Sequence, residues 1–385
     1  PAARAAGAAA MAACVDDWGA LVDWAPAPAE GPEAELEREL LRAEYAAMKK
    51  YKAFSFSWDV FLHWVACCAA YALVVRGALA GAVSRPLGAL LVMPILHHLY
   101  MPIHESVHNN LAGCPAGGTT PRLNALVQDV VAHVSGLLLG VSYRSHGAEH
   151  MFHHKFTNHE DKDPDMALKS GEWREVVANY LQFLWLIHSL MLHPWALLLE
   201  AFVRQTALTN VNRDGSLTKV AEASLASTEY MVLARWAQLL LALATGRWGD
   251  VFFLWWLPQQ VAQLTTILVF AWLPHHPHAD VGRYKDTRVT LVGAREPLRS
   301  LLSFLVFTGH DHHLLHHLYP RVPWTRLQRL YRELAPLLER RGARLEGGAG
   351  QPRVLWGAPQ GRRPVNGPFS RQYRQRLKGE LPPLT

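Results

Sequence analysis

Residues 86–108 read PLGALLVMPILHHLYMPIHESVH. The stretch 86–103 carries no Asp, Glu, Lys or Arg, and a membrane-crossing helix needs roughly 20 mainly apolar residues. It runs directly into His104 and His108, four apart. On a helix, residues four apart differ by about 40° around the axis, so the two imidazoles share a face. An apolar span that ends in a pair of metal-type ligands sets the reading of the whole chain.

Three further apolar runs are long enough to cross a bilayer: 58–82, 176–203 and 249–273. A weaker run, 230–245, is short and carries Arg235, so it is read as interfacial. Four such runs in one chain argue against four separate buried core helices. The pattern predicts an all-α, polytopic membrane protein with about four transmembrane helices and a polar helical cap.

The averages conceal this. The chain has 385 residues, half of them hydrophobic and 18% charged, yet its mean hydropathy is only +0.01. Apolar spans and polar stretches cancel. The four cysteines, Cys14, Cys67, Cys68 and Cys114, match no zinc spacing and are too few for a disulfide scaffold. A secreted disulfide protein, a zinc finger and a disordered regulator are excluded. Of the 38 Lys and Arg behind the net charge of +6, 19 lie after residue 280. Lys49, Lys50 and Lys52 precede the first span, and Lys155, Lys162, Lys169 and Arg174 lie between the second and third. The positive-inside rule puts these segments on one face, which requires an even number of crossings between them. Basic residues that flank apolar spans, without base-stacking aromatics, exclude a nucleic-acid partner.

The 21 histidines cluster. After His104 and His108 come His150, His153 and His154, at i, i+3 and i+4, with His146 one turn earlier. His313, His316 and His317 repeat the spacing, preceded by His310 and His312, and His275, His276 and His278 follow the last strong span. Eight or more convergent imidazoles exceed the three or four ligands of one zinc ion, so two metals are the economical reading. Neutral imidazole suits iron, zinc, copper or nickel alike. The stretch H-E-S-V-H at 104–108 also fits the HExxH motif of zinc proteases. A protease needs one further ligand and leaves the other clusters unexplained. The clusters can meet only on one side of the membrane, with an even number of spans between the second and the third.

The order HxxxH, HxxHH, HxxHH around paired spans resembles the membrane fatty acid desaturase superfamily, which includes acyl desaturases, hydroxylases and carotenoid ketolases. The segments HMFHHKFTNHEDKDPD at 150–165 and HLLHHLYPRVPW at 313–324 resemble its second and third boxes, and LPHHPH at 273–278 is similar to a carotenoid ketolase segment. The resemblance covers about 58–342. It implies a di-iron centre, with O2 as co-substrate, that attacks an unactivated C–H bond. It also implies ligands at His104, His108, His150, His153, His154, His313, His316 and His317, with a further one from His275 or His278. His146, His310 and His312 would border the metals, and Asp163, Asp165 and Asp311 would orient imidazoles. No HPGG haem motif is present, so electrons would come from an external carrier of cytochrome b5 or ferredoxin type. The expected activity is a fatty acyl desaturase on a lipid or acyl substrate, with a carotenoid ketolase or hydroxylase as the alternative. Other histidines, including His63, His97, His133, His188 and His193, are read as packing or interfacial residues, His97 bordering a substrate tunnel.

The chain divides into an extension at 1–57, a membrane domain at 58–342 and a basic Gly/Pro-rich tail at 343–385. The Ala-rich start, with Arg4 and no acid before Asp16, and the beginning at Pro1 fit initiator removal or transit-peptide cleavage. They suggest an organelle membrane, mitochondrial inner or plastid. Ordered ends would instead suit a structural subunit that contacts a larger membrane complex through both termini. Two amphipathic helices are expected, at 33–52 and at 325–341, the second kinked at Pro336.

Overall fold

The computed structural model describes residues 32–115, 118–159, 163–165, 172–192, 219–278, 282–291 and 297–345. The Ala-rich start, most of the basic tail, Lys162, Lys169 and His193 lie outside them. The described part is all-α, with one isolated bridge between Val289 and Leu345.

Helix α1 (Pro32–Tyr51) is followed by α2 (Trp58–Leu79), α3 (Arg85–His98) and α4 (Tyr100–Val107). Asp59 in the first turn of α2 and Arg76 in the last complement the helix dipole. By length and apolarity α2 is one candidate span, and α3 with α4 (Arg85–Val107) is a second. The first faces outward along nearly its whole length, whereas the second is mostly buried. Helices α5 (Arg122–Leu139) and α6 (Tyr143–Phe156) pass the same test only together, across a 95° bend. That bend sits at Gly140, whose φ of +72 ends α5 in the left-handed cap that glycine favours. A Cβ there would lie 2.8 Å from the Gln259 amide nitrogen.

Helix α7 (Trp173–Leu192) covers the described part of the expected third span. Helix α8 (Lys219–Thr245) differs from the sequence reading, in which 230–245 is short. Its first turns, KVAEASLASTE, form helix well but are too polar for hydropathy to register. Near its start Ser224 donates to Glu149 of α6, and just past its end Arg247 faces Asp250 at 3.7 Å. Asp250 in turn pairs with Arg85, at the start of α3, at 2.7 Å. Helix α8 therefore runs the full depth between the histidine-bearing end of the molecule and the opposite end. The helical run 248–272, here α9, returns along it and contains two π-helical stretches, Phe252–Trp256 and Ile267–Trp272.

Helix α10 (Leu298–Leu305), a 3-10 turn (His310–His312), α11 (His313–Leu318) and α12 (Trp324–Arg340) complete the order. The predicted amphipathic face of α12 buries Leu327, Leu330, Tyr331, Leu334 and Leu338. Pro336 lies within this helix, which continues to Arg340. This face joins Leu314, Leu315, Leu318 and Met48 of α1 in a core outside the apolar spans. A second core, with Val92, Leu96, Leu99, Ile103, Ala262 and Phe270, lies among them. The histidines sit between the two.

Helix α1 is tied to this cap by Glu44, which is fully buried. Its carboxylate accepts from Tyr284 at 2.9 Å, Tyr319 at 2.9 Å and Arg341 at 3.1 Å. Breaking such a buried set from one side costs about 3–5 kcal/mol. Replacement Glu44→Ala is expected to lower the thermal unfolding midpoint in detergent, whereas the exposed Glu39→Ala leaves it unchanged. Equal midpoints for the two variants would contradict this anchoring role.

Candidate metal centre

Each histidine box is delivered by a different local device. Helix α4 carries His104, and His108 is the residue that caps its C-terminus. Helix α6 carries His150, His153 and His154, with Ser142 as its N-cap accepting the Ser145 N–H. Helix α11 begins at His313 and carries His316 and His317. His275 lies in the turn after α9.

The structure gathers these residues into two groups. His104, His108, His150, His154 and His316 form one, and His153, His275, His313 and His317 the other. Within each group the ligand atoms lie within 4.8 Å of one another. In the first, Nε2 to Nε2 distances are 3.0 Å for His104–His316, 2.9 Å for His316–His154, 3.0 Å for His154–His150 and 2.9 Å for His150–His108. In the second they are 3.0 Å for His275–His313, 3.0 Å for His313–His317 and 3.3 Å for His317–His153.

Hydrogen bonding among the rings does not explain these distances. A neutral imidazole nitrogen has one in-plane position, holding either a proton or a lone pair. His316, His154 and His150 each present Nε2 to two other nitrogens at once, as do His313 and His317. At most two of the four contacts in the first group, and two of the three in the second, can then be hydrogen bonds. Ligand geometry does account for them. Two nitrogens about 2.1 Å from a shared ion stand about 3.0 Å apart at right angles and about 3.4 Å apart at the tetrahedral angle. The spacing in the first group fits right-angled neighbours around one ion.

The remaining ring nitrogens point the same way. His104 Nδ1 donates to Glu105 at 3.2 Å, His153 Nδ1 to Asp163 at 2.9 Å, and His317 Nδ1 to Thr157 at 3.2 Å. Each contact keeps the proton on Nδ1 and leaves the Nε2 lone pair facing the group, as in metal sites whose ligand histidines are oriented by acceptors behind them. Asp163 is itself held by the main-chain N–H groups of Asn158 at 2.8 Å and Asp165 at 3.0 Å.

Several sequence expectations take a more specific form. His275 joins the second group, whereas His278 belongs to neither and stacks on His275 with centroids 6.4 Å apart. Asp165 stands 3.8 Å from His153 Nδ1, behind Asp163. Asp311 serves His312 at 3.0 Å and not a grouped histidine. His312 points toward α12, with its other nitrogen 3.0 Å from Arg299. His146 packs between Tyr100 and His150. His310 is buried against His104 and His316; its ring nitrogens have no hydrogen-bond partner among the described residues, and one lies within 4.8 Å of ligand atoms of His104 and Glu105. His97 is engaged on both sides, by Thr266 at 3.1 Å and the Val306 carbonyl at 2.8 Å.

Two contributors are not visible in the residue spacing. Thr157 orients His317 from a distant part of the chain. Glu105 follows His104 directly, and adjacent helical residues do not normally face one another. Its carboxylate is fully buried and also accepts from Asn110 at 3.0 Å and the Trp324 N–H at 3.2 Å. A carboxylate held this way is not placed to act as the general base of an HExxH protease.

Apolar spans capped by two groups of convergent imidazoles that could hold metal ions define a helical membrane protein with a polyhistidine cap. The profile of the family described as "Fatty acid desaturase" matches residues 81–347. The chain belongs to that family. It is similar to the beta-carotene ketolase of Paracoccus sp. (strain PC1), with 29% identity over 252 residues, 64% of this chain and 81% of that protein. A beta-carotene ketolase of Paracoccus sp. (strain N81106 / MBIC 01143) is 36% identical over 85 residues, 21% of this chain and 31% of that protein.

Burial sets the charge state. The His108 imidazole is pushed down to about 3, first by desolvation and then by repulsion from His310. His310 lies at about 3, and His316 and His317 fall well below the usual range, again chiefly through burial. An unfolded chain takes up these protons near pH 6.5, whereas the folded chain resists until far lower pH. The unfolded state therefore binds more protons in that window, and stability falls as the pH is lowered through it. Chelator-stripped protein in detergent is expected to lose thermal stability steadily from pH 7 to pH 5. A flat midpoint across that range would contradict neutral, buried rings.

Proposed function

We propose that the chain binds two iron ions and uses O2 and electrons from an external carrier to oxidise a C–H bond of a long hydrocarbon dissolved in the membrane. The observation that carries this reading is the pair of histidine groups, whose nitrogen spacing fits ligands around a common point. His104, His108, His150, His154 and His316 would hold one ion; His153, His275, His313 and His317 would hold the other. A bound iron pair supplies the redox chemistry that turns O2 against an unactivated C–H bond. The protein's part is to keep the imidazoles neutral, to fix their tautomers through Glu105, Asp163 and Thr157, and to exclude bulk water by burial.

For the substrate, a carotenoid is the reading we favour, and the oxidation is ketolation. Both curated relatives described above are beta-carotene ketolases, and one is matched over most of its length. Fatty acyl desaturation, the activity expected from the sequence, is the second reading, supported by the family match. Expression in cells that make beta-carotene separates them. An oxygenated carotenoid is expected, lost in His153→Ala; a new acyl double bond with unchanged pigment would favour desaturation.

For the membrane topology, we read four crossings: α2, α3 with α4, α8, and α9. The parity of the histidines supports this, since His108 meets His150 and His153 meets His317. The glutamines Gln259, Gln260 and Gln263 lower the apolarity of α9, and they face Arg235 and α5 rather than outward.

Metal affinity tests the orienting residues directly. Replacement Asp163→Asn is expected to weaken iron binding by about 10–100-fold, measured by chelator competition on purified protein. Unchanged retention would remove Asp163 from the site.

A further inference from the structure

A second kind of ligand cluster lies outside the histidine cap. His63 and Cys67 are one turn apart on α2, and His98 ends α3. Their three ligand atoms lie within 4.8 Å of one another. We propose that His63, Cys67 and His98 form a separate site for a single thiolate-binding ion of the zinc(II) or copper(I) class.

The chemistry of the donors separates this site from the cap. The two cap groups are all-imidazole, whereas thiolate selects softer ions. The geometry agrees with coordination. Cys67 Sγ lies 3.6 Å from His63 Nε2. With metal–sulfur near 2.3 Å and metal–nitrogen near 2.0–2.1 Å, a tetrahedral ion sets those two atoms about 3.6 Å apart. His98 is prepared in the way ligand histidines usually are. Its Nε2 faces the Leu305 carbonyl at 3.3 Å, so that nitrogen carries the proton and Nδ1 keeps its lone pair.

The surroundings are apolar and enclosing. Phe304 packs on His98 with ring centroids 5.1 Å apart, and Trp324 on His63 at 5.3 Å. Cys67 is a free cysteine and is buried. His98 is six residues before His104, about 9 Å of helical rise, so the site lies just beneath the cap. An ion here would join α2, an outward-facing candidate span, to the end of α3, which leads into the segment with the first histidine pair. The inference does not depend on the substrate or on the cap holding iron.

Cobalt(II) is a direct probe, because a cobalt–thiolate bond gives a near-ultraviolet charge-transfer band that imidazole ligands do not. Purified protein in detergent, loaded with iron and then titrated with cobalt(II), is expected to bind about one thiolate-ligated equivalent. The band should disappear in Cys67→Ser and persist in Cys68→Ser, with iron content the same in all three. His63→Gln keeps the thiol and should weaken cobalt binding at least tenfold, which covers the case where Cys67→Ser does not fold. The absence of the band from wild-type protein, or its survival in folded Cys67→Ser, would overturn the proposal.

Discussion

A single in-plane site on each imidazole nitrogen governs this molecule. Nine rings present Nε2 to one another in two groups, and rings so arranged cannot satisfy each other by hydrogen bonding. Without a shared electrophile such an arrangement would be costly, since a buried polar atom without a partner carries its full desolvation penalty. The two cores beside the site supply the packing that holds the rings in place. One lies among α3, α4, α5 and α9, and the other is built on α11, α12 and α1. The rings are fixed from behind as well. Glu105, Asp163 and Thr157 choose the tautomer, and Asp163 is pinned by two main-chain N–H groups.

The fold class and the histidines were legible because both rest on periodicities that survive folding. Apolar runs near 20 residues and imidazoles at i, i+3 and i+4 keep their meaning in any helical context. The boundaries of α8 were not legible. Its polar first turns hide 11 of the 27 residues of a helix that runs the depth of the molecule. Thr157 and Glu105 escaped for different reasons. The first meets His317 across 160 residues of sequence, and the second lies next to the histidine it serves. His63 shows the limit from the other direction. As a lone histidine in a span it is best read as packing, and only the arrival of His98 beside Cys67 gives it a chemical context.

Parity explains why one helix pair must turn back. His108 precedes α5 and His150 follows its bend, yet their ring nitrogens are 2.9 Å apart. The pair α5–α6 therefore returns the chain to the same histidine group, although together the two helices are long and apolar enough to cross. Its exposed apolar stripe of Leu123, Leu126, Val130, Val134 and Leu137 fits a helix lying against lipid.

Such a turn creates its own difficulty, which α9 resolves. A helix that stops in an apolar setting leaves its last carbonyls unsatisfied. The carbonyls of Leu138 and Leu139 accept instead from the side-chain amides of Gln259 at 2.8 Å and Gln263 at 2.6 Å. For Gln259 to donate there, its oxygen must point the other way, and it meets the buried guanidinium of Arg235, which also reaches Gln260 at 3.0 Å. Gly140 leaves room for these amides where any Cβ would collide with them. The glutamines that make α9 a poor span by hydropathy, and the arginine that makes 230–245 look interfacial, are thus parts of one device. It closes the end of α5 so that α6 can bring His150, His153 and His154 back to the two histidine groups.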